Sequence, residues 1–225
     1  MNRRTALLAF ALAAGGCGSH SADQQQTTFP MPSNLAGVYG GSLPCGNCKE
    51  IAATLWLRGD DRFFWRQSII LETGATESSS YSFGQWRWDE NAAEVVLSSR
   101  GPERRLAQLD AERLRLRTSS AAENVLARDA SAPPFADRVP LEGESAVVDK
   151  GGATFVHCDT GLEFPIAESG AYNELRRQHR VLNPRHKVAL TTVEAHLANV
   201  TAGDATREVL VLDKVVQPIK PGQGC

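Results

Sequence analysis

Five cysteines carry most of the reactive chemistry that this sequence could support: Cys17, Cys45, Cys48, Cys158 and Cys225. Cys45 and Cys48 lie in the turn-rich stretch Gly41-Ser42-Leu43-Pro44-Cys45-Gly46-Asn47-Cys48. Two thiols at that spacing can clamp a soft ion such as Cu(I) as thiolates, close a tight loop as a disulfide, or exchange with partner thiols as a redox pair. A thioredoxin-like pair opens a helix, whose N-terminus lowers the first thiol's pKa. The surroundings here read as β-structure, which disfavours exchange chemistry. Structural zinc would need four ligands at a finger spacing, and the neighbouring residues do not supply them.

Cys17 belongs to a different pattern. Met1-Asn2-Arg3-Arg4 is a basic head, Thr5 to Ala14 an apolar run, and Ala14-Gly15-Gly16 a set of small residues directly before the cysteine. That is the layout of a secretory signal, and the apolar run of about ten residues is half the roughly 20 that a spanning helix needs. Residues 1–16 are expected to be a lipoprotein signal peptide, leaving Cys17 acylated as the first residue of the mature chain. Several acyl chains, at ~0.8 kcal/mol per buried methylene, would hold it on its membrane. Gly18 follows where an Asp would suggest inner-membrane retention, so the expected location is the outer membrane, facing the periplasm.

Export leaves four cysteines in an oxidising compartment, an even set that suits disulfides. Three pairings are possible, and the economical one joins Cys45 to Cys48 and Cys158 to Cys225. The second bridge would close 225 − 158 + 1 = 68 residues and remove about 4 kcal/mol of unfolded-state freedom, comparable to the net stability of a small domain.

The formal charge of −2 becomes −2 − 2 = −4 once Arg3 and Arg4 leave with the signal. No basic stripe remains, so nucleic acid is not an expected partner. The five histidines, His20, His157, His179, His186 and His196, are scattered and receive no role. No Ser/His/Asp arrangement, pair of catalytic carboxylates or Gly-rich phosphate loop stands out, and the chain is read as a non-enzyme.

The elements that must position the cysteines follow from composition. Residues 17–34 are polar and Gln/Ser/Thr-rich and read as a flexible tether. Residues 35–129 hold eight short runs at roughly ten-residue spacing, punctuated by Gly, Asp, Asn and Ser. Phe63, Trp65, Gln67 and Ile69 alternate with Phe64, Arg66, Ser68 and Ile70, predicting one dry and one wet face. With no amphipathic helices to serve as crossovers, an antiparallel barrel is expected. The aromatic cluster Phe63, Phe64, Trp65, Phe83, Trp86 and Trp88 reads as barrel core rather than as a ligand pocket. Residues 130–137, with Pro133-Pro134, form a linker. Residues 138–225 hold five runs with one helical pattern, Ser169 to Val181, between the third and fourth, the outline of an OB-type barrel.

The Gly37 to Ile51 segment with its Leu43-Pro44-Cys45-Gly46-Asn47-Cys48, the segment Ala153 to Gly161 around Cys158, and Cys225, together with the Cys17 signal, resemble the NlpE family of copper-homeostasis and envelope-stress lipoproteins. The resemblance implies an all-β chain, with an N-terminal lipocalin-like antiparallel barrel and a C-terminal OB-fold-like domain with one helix. It implies Cys45 and Cys48 as a candidate copper site, with Cu(I) a possible but not required cofactor. It further implies a Cys158–Cys225 disulfide whose loss reports failed oxidation. Implied partners are the membrane through the lipid anchor, a CpxA-like sensor histidine kinase, and the lipoprotein-export and disulfide-forming machineries. Asn47 and Lys49-Glu50 depart from the family's usual loop. The alternatives are a lipocalin-like carrier of a small apolar ligand and a periplasmic thiol-disulfide exchange protein.

Overall fold

The computed structural model describes residues 28–99, 101–118, 124–132, 137–148, 152–182, 188–202 and 205–225. Cys17, His20 and His186, and with them the signal peptide, most of the tether and residues 133–136 of the linker, lie outside the described residues. Among the described residues no helix is long and apolar enough to cross a membrane.

Eight strands follow one another in the first half: β1 (Gly37–Leu43), β2 (Glu50–Leu57), β3 (Arg62–Ile70), β4 (Thr76–Asp89), β5 (Glu94–Ser98), β6 (Arg104–Gln108), β7 (Arg113–Leu116) and β8 (Val125–Arg128). Each pairs with its sequence neighbour, and β8 returns to β1 through Tyr39↔Arg128 and Gly40↔Ala127 to close the barrel. Closure removes the exposed edges that an open sheet would carry. The period of two sends Leu55, Leu57, Phe63, Trp65, Val95, Leu97, Leu106, Leu114 and Leu126 to the interior, where they are almost fully buried.

Two local features hold the seam. Tyr39 donates its hydroxyl to the carbonyl of Leu35 at 2.8 Å, and Arg128 lies over the Tyr39 ring at 4.9 Å while donating to its hydroxyl oxygen at 2.7 Å. Gly41 lets β1 approach β8 closely, since a Cβ there would meet the Val125 carbonyl oxygen at 2.4 Å.

The second half contains β9 (Val139–Val148), β10 (Gly152–His157), β11 (Glu163–Ile166), α1 (Tyr172–Leu182), β12 (Val188–Ala202), β13 (Ala205–Val215) and β14 (Lys220–Pro221). The strand order β13-β11-β10-β9-β12, closed by β12–β13 and with β11 parallel to β13, makes a five-stranded OB-type barrel. The helix stands between the third and fourth of these strands. Its residues Tyr172, Leu175 and His179, one face at helical spacing, are buried.

A polar cluster lies under that helix. Ser145 of β9, Thr191 of β12 and His179 are all buried, with Ser145 Oγ 2.9 Å from His179 Nε2 and bonded to Thr191. Burial pushes the His179 imidazole below its ordinary value of 6.5. The unfolded chain therefore takes up this proton at higher pH than the folded chain. Stability from this group is full above the ordinary histidine range and is lost as pH falls through it. Thermal unfolding followed from about pH 8 to pH 5 should show a falling melting temperature, and His179→Gln should make the slope shallower. An unchanged slope would count against this assignment.

Candidate functional site

The loop between β1 and β2 carries the first cysteine pair at one end of the N-terminal barrel. Leu43↔Ile51 brings the two strands together below it, and Lys49 N donates to Ile70 O at 3.0 Å, tying the loop to β3. Cys45 and Cys48 are half-buried and joined, with their Cα atoms 5.4 Å apart. Cys48 Sγ lies 3.4 Å from the carbonyl oxygen of Glu50.

Among the described residues no group of three or more His, Cys, Asp or Glu could hold a metal together. The donor set of this loop is thus two sulfurs, which matches a soft two-coordinate ion such as Cu(I) and not the multi-ligand shells of zinc or calcium. The fit holds for the reduced pair alone, because a metal takes thiolates and not a disulfide.

The second pair joins the turn after β10 to the last residue of the sequence. Cys158 and Cys225 are bonded with Cα atoms 5.2 Å apart. Cys158 N donates to Glu142 O at 3.0 Å, and Cys225 N to Glu144 Oε1 at 2.9 Å. Between β13 and Cys225 the chain is anchored by the two residues of β14, by buried Ile219 and by Ile219 N donating to Gln178 Oε1 at 3.0 Å.

Next to Cys158, His157 is 4% exposed and faces the other barrel, its ring 5.1 Å from that of Phe83. The contact belongs to a surface that spans both barrels. Register aligns Trp56 of β2, Phe64 of β3 and Phe83 of β4 on the outer face of the N-terminal barrel, with ring centroids 5.7 and 4.6 Å apart. Phe164 of β11 lies 5.9 Å from Phe83.

Charges frame the aromatics. Glu208 of β13 accepts from Arg58 at 2.7 Å and from Arg62 at 2.8 Å, one carboxylate between two guanidinium groups, and Asp137 accepts from Arg66 at 2.6 Å. Burial opposes the charge on Arg58, yet hydrogen bonds to Asp60 and Glu208 hold its pKa above the ordinary value. Burial likewise opposes the charge on Asp60, but hydrogen bonds from Arg58 and Arg62 keep its carboxyl well below the usual carboxylate range. A cavity of about 250 Å³ remains beside this contact, lined in part by Tyr81, Phe83, Leu141, His157 and Asp159.

Of the aromatic cluster assigned to the core by sequence, Phe63, Trp65 and Trp86 do fill the N-terminal barrel and Trp88 packs against it. Phe64 and Phe83 instead belong to the inter-barrel surface. Sequence reading missed this surface and the place of His157. The available signal was Arg62, Phe64 and Arg66 on alternate positions of one strand, an aromatic where the wet face should be. His196, also without an assigned role, lies 2.7 Å from Asp213, which Arg138 contacts at 3.1 Å.

These features define a two-barrel β protein with one cysteine pair at a barrel mouth and a second fastening the C-terminal barrel. Residues 39–125, which span most of the N-terminal barrel, match the NlpE N-terminal domain. No curated protein matches the sequence. Among solved structures, the Cpx pathway activator NlpE from Escherichia coli is 25% identical, with 85% of this chain and 98% of that chain covered and a TM-score of 0.37. A candidate lipoprotein from Shewanella oneidensis is also 25% identical, over 42% of this chain and 89% of that chain, with a TM-score of 0.34.

The loop-entropy model separates the two bridges by magnitude. The Cys158–Cys225 link, at a sequence separation of 67, should contribute about 4 kcal/mol to stability. The Cys45–Cys48 link, at a separation of 3, should contribute about 2 kcal/mol. Urea unfolding under oxidising conditions should therefore shift further for Cys158→Ala, Cys225→Ala than for Cys45→Ala, Cys48→Ala. Equal shifts would contradict the assignment.

Proposed function

We propose that this chain is a lipoprotein of the cell envelope, acylated on Cys17, that reports envelope stress to a Cpx-type sensor histidine kinase. In this reading Cys45 and Cys48 bind Cu(I), and Cys158 with Cys225 sense whether oxidative folding has succeeded. The observation that carries the reading is the placement of the two pairs: one at the mouth of an NlpE-type barrel, the other closing the C-terminal barrel.

The C-terminal pair works through folding. When the bond forms, the segment from Pro218 to Cys225 is held against β12, the helix and Glu144. When oxidation fails, that segment keeps only the short β14 pairing, Ile219 and a few hydrogen bonds, and the barrel loses a contribution close to its net stability. The N-terminal pair works through the soft-ligand chemistry of its sulfurs, which reduction converts from a closed loop into two donors. Cys45 and Cys48 would hold the ion as thiolates, and Cu(I) would supply the soft positive charge that balances them.

A Cpx reporter in cells carrying either the wild-type chain or Cys158→Ala tests the folding half: output should rise several-fold with the variant, and silence in both would sink it. Cu(I) competition against a chelator of known affinity tests the other half. Reduced wild type should hold the ion more tightly than Cys45→Ala, Cys48→Ala, and equal uptake would leave only the folding sensor.

A further inference from the structure

The outer face of an up-and-down barrel is ordinarily its wet face, yet β2, β3 and β4 place Trp56, Phe64 and Phe83 there in one cross-strand row. The row is framed by arginines, with Arg58 just past the end of β2 and Arg62 and Arg66 on either side of Phe64 on β3. A stacked aromatic row edged with guanidinium groups has the composition of an interaction surface, where aromatics and Arg are enriched. In this structure the C-terminal barrel occupies it. Phe164 and His157 pack against the Phe83 ring, Glu208 bridges Arg58 and Arg62, and Asp137 meets Arg66.

We propose that this face is a docking surface for a protein partner that presents an apolar or aromatic side chain flanked by carboxylates, and that the C-terminal barrel masks it. Two observations point to a cover that can leave. The ion pairs are in reach of water, their side chains being 13 to 36% exposed, so they set orientation and partner choice more than permanent affinity. The cavity of about 250 Å³ beside the rings leaves the apolar contact incompletely filled, unlike a barrel core. The occupant that fits follows from the mask itself, since a ring against Phe83 from Phe164, with carboxylates on the arginines from Glu208 and Asp137, is the combination that a partner would have to reproduce. This deepens the sensor reading and rests on it for the identity of the natural partner, not for the surface.

The probe is a fluorescein-labelled synthetic peptide with one phenylalanine between two pairs of glutamates, titrated by anisotropy against the full mature chain. Glu208→Lys opens the mask by setting a cation against Arg58 and Arg62 while leaving the docking face unaltered. Asp137→Lys is a second opener acting through Arg66. Each opened chain should bind the peptide about tenfold more tightly than wild type, and the gain should shrink as ionic strength rises. Adding Phe64→Ser, which changes an outward side chain, should abolish the gain. Binding no tighter in either opened chain, or a gain that survives Phe64→Ser, would overturn the proposal. So would binding of the opened chains to phosphatidylglycerol vesicles in place of the peptide, which would mark a membrane-binding face. A Cpx reporter run on the same variants separates this proposal from the sensor reading. Peptide binding with a silent reporter would sink the sensor reading alone, and a responsive reporter without peptide binding would sink the docking surface alone.

Discussion

The covalent link between Cys158 and Cys225 is the constraint on which the rest of the C-terminal half depends. It returns the last residue of the sequence to the turn after β10, across a segment whose regular structure is the two residues of β14. Loop closure of that length removes far more unfolded-state freedom than the tight Cys45–Cys48 loop does. The residue before Cys158 is His157, which packs against Phe83 of the other barrel. One turn therefore holds both the bond that secures the C-terminal barrel and part of the contact between the barrels. A change of oxidation state at Cys158 acts within one residue of that contact.

The two barrels meet by a mechanism different from the one that fills each of them. Leu55, Phe63, Trp65 and Leu126 bury aliphatic and aromatic surface around the axis of the N-terminal barrel, and no charge is needed there. Between barrels, the rings of Phe64, Phe83 and Phe164 supply the apolar part, and Arg58, Arg62 and Arg66 are balanced by Glu208 and Asp137 from the far side and by Asp60 from the N-terminal barrel itself. Desolvating such pairs costs roughly what their attraction returns. Their effect is to fix which faces meet, consistent with Glu208 engaging two guanidinium groups at once.

Most of the fold was legible in the sequence because period-two alternation and turn residues are local signals. The eight runs of the first half form β1 to β8, and the five runs and one helical pattern of the second form β9 to β13 with α1. The first five residues of β4, Thr76 to Ser80, were not legible: a polar, Ser-rich run has no alternation to read, and pairing with Gln67 to Ile70 makes it a strand. The short β14 was hidden in a Pro- and Gly-containing tail for the same reason. The inter-barrel surface was illegible on stronger grounds, since Arg58 and Glu208 are 150 residues apart and nothing near either one records the pairing. Spacing brought Cys45 and Cys48 together on paper, but spacing carries no information about whether sulfur meets sulfur or metal.

The account turns on the Cys158–Cys225 bond controlling the C-terminal barrel while the N-terminal barrel stands without it. Hydrogen exchange read by mass spectrometry, comparing the oxidised and reduced forms of the mature chain in the Cys45→Ala, Cys48→Ala background, tests that most directly. The predicted result is faster exchange in α1, β12, β13 and β14 on reduction, with β1 to β8 protected as before. Exchange that is unchanged throughout, or that rises equally in both barrels, would contradict it.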